Sequence, residues 1–183
     1  MSQYFIFIPN LLSIVRIFLM YPMLSFIAQE NYLYALFVFA LASASDGLDG
    51  YLARTMNWQT DLGKILDPIA DKVLLIGTIL VLWMNSYIPL FVLSVFVFRD
   101  FMIIVGAAFH MTVYGTTAPN PNIFGKFTTF VHIAYIIAVF LDIILLTNLT
   151  NIYIDLSITL ITVTSLLLYV VSWSKTTSSK HNE

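Results

Sequence analysis

Residues 45–72, SDGLDGYLARTMNWQTDLGKILDPIADK, interrupt long apolar runs and hold five of the chain's ten acidic residues. Asp46 and Asp49 are three residues apart, and Asp67 and Asp71 are four apart, so on a helix each pair shares one face. We expect the function of the protein to reside in this segment. Four further positions belong to the same pattern: Gly50, Ala53, Arg54 and Gly63.

The composition around this segment is that of a membrane protein. Of 183 residues, 60% are hydrophobic and 10% are charged, whereas soluble domains are about one quarter charged. The length predicts one domain over residues 1–183 with a polar, frayed tail at 174–183, and the first apolar run lacks the basic and small-residue flanks of a signal peptide. The net charge of −2, without any basic run, predicts no nucleic-acid partner, and the absence of cysteine excludes disulfides and thiolate chemistry.

The apolar runs predict an all-α, polytopic bundle of six transmembrane helices. The second run, 32–44, is too short for a hydrocarbon core of about 30 Å, so its helix must continue through the first acidic pair to Arg54. Asn10 is placed to cap the first helix. The six predicted helices cover residues 11–28, 32–54, 61–83, 89–113, 124–146 and 152–173.

The distribution of Lys and Arg predicts the orientation of the bundle. Basic residues flank the second and fourth connections and occur in the C-terminal tail, whereas the first, third and fifth connections have none. Because cytoplasmic loops are enriched in Lys and Arg, both termini and the acidic segment are expected on the cytoplasmic face. The active site is therefore predicted at that face, in a bacterial inner membrane.

Four carboxylates gathered at a membrane require compensation, because uncompensated charges there cost several kcal/mol each. Divalent cations with oxygen ligands, Mg²⁺ or Mn²⁺, would provide it and would also bind phosphates. Two such ions about 3.5–4 Å apart are a common arrangement for in-line phosphoryl displacement. Gly50 and Gly63 would let a phosphate or nucleotide approach the backbone.

Two other classes of protein are weighed against an enzyme. A cation or proton transporter would use intramembrane carboxylates, but transporters place them near the midplane in repeated halves, and this chain has no internal repeat. A structural subunit would leave the spaced carboxylates unexplained, although single Asp residues often act only as helix caps or solvated charges.

The pattern D-x-x-D-G-x-x-A-R, eight residues, G-x-x-x-D-x-x-x-D resembles the signature of the CDP-alcohol phosphatidyltransferases. The resemblance implies transfer of a phosphatidyl group from CDP-diacylglycerol to an alcohol with release of CMP, and a homodimer among membrane lipids. It implies that Asp46, Asp49 and Asp67 hold the metals and that Asp71 both ligates metal and acts as the base. The CDP moiety would lie at Asn10, Asp49, Gly50, Ala53, Arg54 and Gly63.

The opening I-P-N-L-L-S-x-x-R, residues 8–16, resembles the glycerol-type branch, which includes phosphatidylglycerophosphate and cardiolipin synthases. Arg99 and Lys126 match basic residues that this branch uses at the acceptor. The glycerophosphate enzymes usually have a further Arg two turns after the first, where this chain has Ala107 and Ala108. This favours phosphatidylglycerol as the acceptor, with glycerol 3-phosphate as the alternative.

The surroundings of Arg99 and four other ionisable residues give further expectations. Asp100 is displaced about 100° around the helix from Arg99, so we expect the partner of Arg99 to be an anionic ligand or a carboxylate of another helix; the alternative is a structural ion pair with Asp142 or with an Asp of the acidic pattern. Lys126 has the alternative role of an interfacial anchor. Of the remaining residues, the two histidines are expected to be satisfied structural residues and the two acids to be solvated: His110, His132, Asp142 and Asp155.

Overall fold

A computed structural model of the protein describes residues 8–55, 63–114 and 123–180, with side chains over 11–45, 70–106 and 124–171. The regular structure in these ranges is α-helical, which confirms the all-α prediction. All six predicted helices are present, as α1 (Ile8–Ala28), α2 (Tyr32–Thr55), α3 (Gly63–Met84), α4 (Leu90–Tyr114), α5 (Ile123–Leu145) and α6 (Ile152–Lys180).

Two helix ends differ from the prediction by three residues or more. Because α1 begins at Ile8, Asn10 lies within its first turn, and the assignment of Asn10 as N-cap is wrong. Pro9 fits that first turn, where a missing N–H costs nothing. The frayed tail is also wrong for residues 174–180, since α6 continues to Lys180. That stretch has no Gly or Pro, and extending an existing helix adds one hydrogen bond per residue.

The helices group into two compact units, which share α5. The first unit comprises α1, α2, α3 and α5 from Ile136 onward, and α1 packs against both α2 and α3. Phe39 and Phe140, both fully buried, place their ring centroids 6.2 Å apart in its core. The prediction of one domain over residues 1–183 stays a prediction.

One end of the first unit is closed by matching helix caps. Glu30 after α1 and Ser86 after α3 both adopt left-handed backbone angles, φ 59° and 65°. In each cap the next N–H bonds five residues back, Asn31 to the Phe26 carbonyl at 2.8 Å and Tyr87 to the Leu82 carbonyl at 3.0 Å. The hydroxyls of Tyr32 and Tyr87 lie 2.9 Å apart, so this closed end holds the start of α2 beside the end of α3.

The second unit comprises α4, α5 up to Tyr135, and α6. α4 packs against α6, where a side chain at Gly106 would meet the Tyr169 ring at 3.4 Å. Phe96 of α4 lies between two residues of α5, stacked on His132 at 3.5 Å and tilted 6.0 Å from Tyr135. The first turn of α6 is capped by the Asn151 side chain, which accepts bonds from two backbone N–H groups.

Within the residues whose side chains are described, three helices are long and apolar enough to cross a membrane, over Leu11–Ala28, Phe124–Leu145 and Ile152–Val171. Large apolar side chains on them, such as Phe18 and Leu160, are exposed. Since a soluble protein rarely exposes so extensive an apolar surface, this surface indicates an integral membrane protein. The six-span arrangement and the orientation stay predictions.

Candidate functional site

The acidic segment is helical on both sides of residues 56–62. α2 runs through Asp46 and Asp49 to Thr55, which confirms that this helix extends beyond the apolar run 32–44. α3 runs from Gly63 through Asp67 and Asp71. The spacing within each Asp pair is therefore helical, as predicted, and each pair shares one helix face.

The two helices bring the acidic positions to one level of the first unit. Asp46 lies fourteen residues after the start of α2, and Asp71 lies thirteen residues before the end of α3. With a rise of 1.5 Å per residue, both positions are about 20 Å from the closed end. Since α2 starts and α3 ends at that closed end, the two helices are antiparallel, and Asp46 and Asp71 lie at the same level along the helix axes.

Of the predicted metal ligands, Asp71 is the one whose side chain is described. It is half-buried, next to the fully buried Ala70, and it has polar partners. The side chains over 46–69 lie outside the described ones, as does that of Asn10. The chemistry of the donor set fits hard cations such as Mg²⁺ and Mn²⁺, since all four residues offer carboxylate oxygens. Within the described side chains there is no group of three metal-ligating residues.

Arg16 is a buried charge in the same unit that the site prediction omitted. Its side chain has no solvent exposure, and neither does Ser13, one turn earlier on α1. The sequence did carry a signal, because an ionisable residue inside an apolar run is by default a candidate functional residue.

Arg99 forms an ion pair that the sequence reasoning rejected. Its Nη1 lies 2.6 Å from Oδ1 of Asp100, and its Nη2 donates to the Gly125 carbonyl at 3.1 Å. The expectation of a carboxylate partner on another helix was wrong, because a long Arg side chain can bend around its helix toward the adjacent residue; an anionic ligand at Arg99 stays a prediction. Arg99 and Asp100 are only 2% and 3% exposed, and buried charges of opposite sign are more stable when they are paired.

Among the described side chains of this unit, Lys126 and the Nε–H of Arg99 are the cationic groups that remain available to an acceptor. Lys126 is exposed in the first turn of α5. Arg99 Nε is buried without a hydrogen-bond partner among the described residues. Their acceptor-binding roles stay predictions.

His132 is the satisfied buried histidine that was predicted. Its Nε2 lies 3.0 Å from Oγ1 of Thr162, and that hydroxyl donates its one hydrogen to the Ile158 carbonyl. The imidazole Nε2–H is therefore the donor to Thr162. The side chain of His110 lies outside the described ones.

The prediction that Asp155 is solvated was wrong. It is 7% exposed and accepts a hydrogen bond of 2.6 Å from the hydroxyl of Tyr135. Its place in the first turn of α6 favours a negative charge, and nothing in the local sequence pairs it with a residue twenty positions away. Asp142, by contrast, accepts from the backbone N–H of Leu149 at 2.7 Å in an exposed turn after α5.

Comparison with known proteins places this architecture in context. Residues 6–174 match the family model described as CDP-alcohol phosphatidyltransferase. The chain is 37% identical over 172 residues to the CDP-diacylglycerol–glycerol-3-phosphate 3-phosphatidyltransferase of Aquifex aeolicus, covering 91% of each chain. It is 41% identical over 122 residues to the CMP-forming cardiolipin synthase of Rattus norvegicus, covering 66% of this chain and 39% of that one. For the cardiolipin synthase of Streptomyces coelicolor the identity is 34% over 131 residues, covering 67% and 60%.

A helical membrane protein with paired carboxylates on two antiparallel helices, similar along its length to transferases, is an enzyme of the membrane. The chain belongs to the CDP-alcohol phosphatidyltransferase family.

Proposed function

We propose that this protein transfers the phosphatidyl group of CDP-diacylglycerol to a glycerol-type alcohol with release of CMP, and that the alcohol is phosphatidylglycerol. Family membership and the names of the relatives support the donor and the glycerol-type acceptor. The product of this reaction is a cardiolipin, so the protein acts in the biosynthesis of anionic phospholipids.

The choice of phosphatidylglycerol rests on the groups that already pair with Arg99. Its guanidinium is already engaged by Asp100 and by the Gly125 carbonyl, so little of its positive charge is left for a ligand. A phosphate monoester such as glycerol 3-phosphate carries close to two negative charges, whereas the phosphodiester of phosphatidylglycerol carries one. An arginine already compensated by a carboxylate suits the singly charged phosphate better, and its Nε–H, which has no partner among the described residues, can donate to that phosphate.

Glycerol 3-phosphate is the alternative acceptor, and a specific observation favours it. The relative aligned over 91% of both chains is named for glycerol 3-phosphate, whereas this chain spans 39% and 60% of the two cardiolipin synthases. In that case Lys126, exposed at the start of α5, would supply the second positive charge.

The reaction is a displacement at the lipid-side phosphorus of the diphosphate. The acceptor hydroxyl oxygen forms the new P–O bond, the bond to the bridging oxygen breaks, and CMP departs with that electron pair. The hydroxyl proton passes to the carboxylate of Asp71, which the proposal makes the base. The half-buried position of Asp71 suits a base that must be reached by a substrate yet shielded from bulk water.

Asp46, Asp49, Asp67 and Asp71 would hold Mg²⁺ or Mn²⁺, two ions in the proposal, which when bound stabilise negative charge on the diphosphate and on CMP. Asp49, Gly50, Ala53 and Arg54 follow one another on the last turns of α2, and Gly63 begins α3. Together with Asn10 in the first turn of α1, they are proposed to bind CDP, the glycines by giving room for its phosphates.

The site is proposed to face the cytoplasm of a bacterial inner membrane, with both termini on that side and the protein as a homodimer. The support is the pattern of basic residues at the second and fourth connections. A site at that face lets the water-soluble CDP headgroup bind while the acyl chains stay in lipid.

The proposal is tested by measuring CMP release from CDP-diacylglycerol with purified protein in detergent and Mg²⁺. Phosphatidylglycerol and glycerol 3-phosphate are supplied in separate reactions, and a reaction without acceptor is the control. We expect release with phosphatidylglycerol. CMP release with glycerol 3-phosphate but not with phosphatidylglycerol would identify glycerol 3-phosphate as the acceptor. Ion flux in proteoliposomes without any CMP release would identify the protein as a transporter and overturn the proposed enzyme activity.

A further inference from the structure

The buried stripe of α1 changes character along its length. Its inward positions recur at helical spacing: Ser13, Arg16, Met20, Met23 and Ile27. The half nearer the closed end is apolar, whereas the other half presents a hydroxyl and a guanidinium, both fully buried. A buried guanidinium needs a carboxylate, and α1 contains no Asp or Glu.

Contacts between α1 and α3 fix the register of these helices. The end of Met20 lies over Gly77, and Oγ1 of Thr78 lies 3.4 Å from Sδ of Met23. Both residue numbers increase together, so the helices are parallel, with offsets of 57 (77 − 20) and 55 (78 − 23). The same offsets place Arg16 level with residues 71–73, and thus with Asp71.

Contacts between α1 and α2 lead to the same level from the other side. The Phe26 and Tyr34 rings lie 5.5 Å apart. In two antiparallel helices, residues at the same level have a constant sum of residue numbers. That sum is 60 for this ring pair and also for the helix ends Ala28 and Tyr32. In this antiparallel register Arg16 is level with Ala44. Asp46 lies two residues further, about 3 Å along the helix axis, which is within reach of an Arg side chain.

We propose that Arg16 is a positioning residue that supplies the counter-charge for Asp46 and Asp71. Both positions lie beside it on the two helices that pack against α1, and Arg16 is a residue with polar partners. Glu30, the acidic residue nearest to α1 in sequence, lies fourteen residues away at the closed end, a distance of about 21 Å along the axis. Arg16 therefore holds the carboxylates together in the absence of divalent cations.

This inference rests on the proposed function for the meaning of the carboxylates, but its test does not use activity. The melting temperature of the protein in detergent is followed by the fluorescence of its three Trp residues, which suits a chain without cysteine for thiol dyes. The variants are Arg16→Met, Asp46→Asn and their combination, all measured in EDTA. Arg99→Met combined with Asp46→Asn is the matched control, because Arg99 is a buried arginine of the other unit.

Arg16→Met is expected to lower the melting temperature in EDTA by about 5–10 °C, because it removes the counter-charge proposed for Asp46 and Asp71. Adding Asp46→Asn should recover at least half of that loss, whereas the control pair should be additive. Equal, additive losses in both pairs would overturn the proposal. If Arg16→Met does not yield folded protein, the combined variant should; failure of both overturns the proposal as well.

A second measurement separates a counter-charge from a purely structural arginine. Mn²⁺ should raise the melting temperature of Arg16→Met more than that of the wild type, because the cation replaces the missing charge. Equal shifts in the two proteins would count against the proposal. If the variants show the Arg16–Asp46 coupling in EDTA but the wild type releases no CMP, the proposed function is overturned and the pairing of Arg16 with Asp46 stands.

Discussion

Among the described side chains, each unit of the protein buries one arginine, and the two are compensated in different ways. Arg99 is paired with the next residue of its own helix, Asp100, at 2.6 Å. Arg16 lies on a helix without any acidic residue, so its compensation depends on how α2 and α3 pack against α1. A charge neutralised within its helix leaves little for a ligand, whereas one neutralised across helices is coupled to the groups that carry the chemistry.

The largest expected effect is on the carboxylates of the first unit. Asp67→Asn or Asp71→Asn should reduce CMP release at least about 100-fold, because each removes a negatively charged ligand of the proposed metal site. Removing divalent cations with EDTA should abolish release in the wild type. Asp142→Asn is the control, since Asp142, near the end of α5, accepts a hydrogen bond from the exposed turn that follows, and the activity of this variant should stay within about twofold. A similar loss of CMP release in Asp142→Asn would show that the effect is not specific to the carboxylates of the first unit's acidic segment.

Next in size is the ion pair of the second unit. Arg99→Met should lower the free energy of unfolding by about 3 kcal/mol, because it removes the buried ion pair with Asp100. Adding Asp100→Asn should return part of that loss. Denaturation in mixed micelles with increasing SDS measures both variants. A combined variant less stable than Arg99→Met would show that Asp100 is held by groups other than Arg99.

A smaller loss is expected at the hydrogen bond between Tyr135 and Asp155. Tyr135→Phe should cost about 2 kcal/mol, since the buried carboxylate loses a donor 2.6 Å away. Tyr153→Phe is the matched control at an exposed tyrosine, where the change should be below about 0.5 kcal/mol. Because Tyr135 has no part in the proposed chemistry, the KM for CDP-diacylglycerol should not change. A raised KM would show that Tyr135 does affect the binding of this donor.

The smallest effects compare one helical glycine in each unit. Gly106→Ala places its new carbon in ordinary contact with the Tyr169 ring, at 3.4 Å, so it should stabilise α4 by about 0.5 kcal/mol through helix propensity. Gly77→Ala would collide with the end of Met20, which must move, and should therefore give no gain. Thermal unfolding of the two variants decides this, and a gain at Gly77 would show that the packing of α1 on α3 is loose.

The sequence predicted the helices better than their buried charges. Apolar runs and a required span length were enough to place α2 through Asp46 and Asp49 to Thr55. The partner of Arg99 was missed because neighbouring residues point about 100° apart on a helix, and this was taken to exclude contact between their side chains. A long Arg side chain can nevertheless bend toward the next residue. Asp155 was missed because its burial depends on Tyr135, a residue of another helix, and no local pattern encodes that contact.

Predicting the site had the same limit. The eight-position pattern identified the acidic segment, and the helical backbone supports its spacing. Arg16 stood out in an apolar run, yet its place beside the acidic positions follows from contacts such as Met20 with Gly77. Those contacts are set by packing, which a linear pattern of charges does not specify.

The length of α6 has a practical consequence. Its 29 residues extend about 43 Å, whereas a hydrocarbon core is about 30 Å thick. Residues 172–180, SWSKTTSSK, are mostly polar, so we expect these last two to three turns to form a helical stalk beyond the lipid. A rigid partner domain joined to this stalk in continuous helical register would serve as a fiducial for electron cryomicroscopy of a membrane enzyme otherwise too small to align.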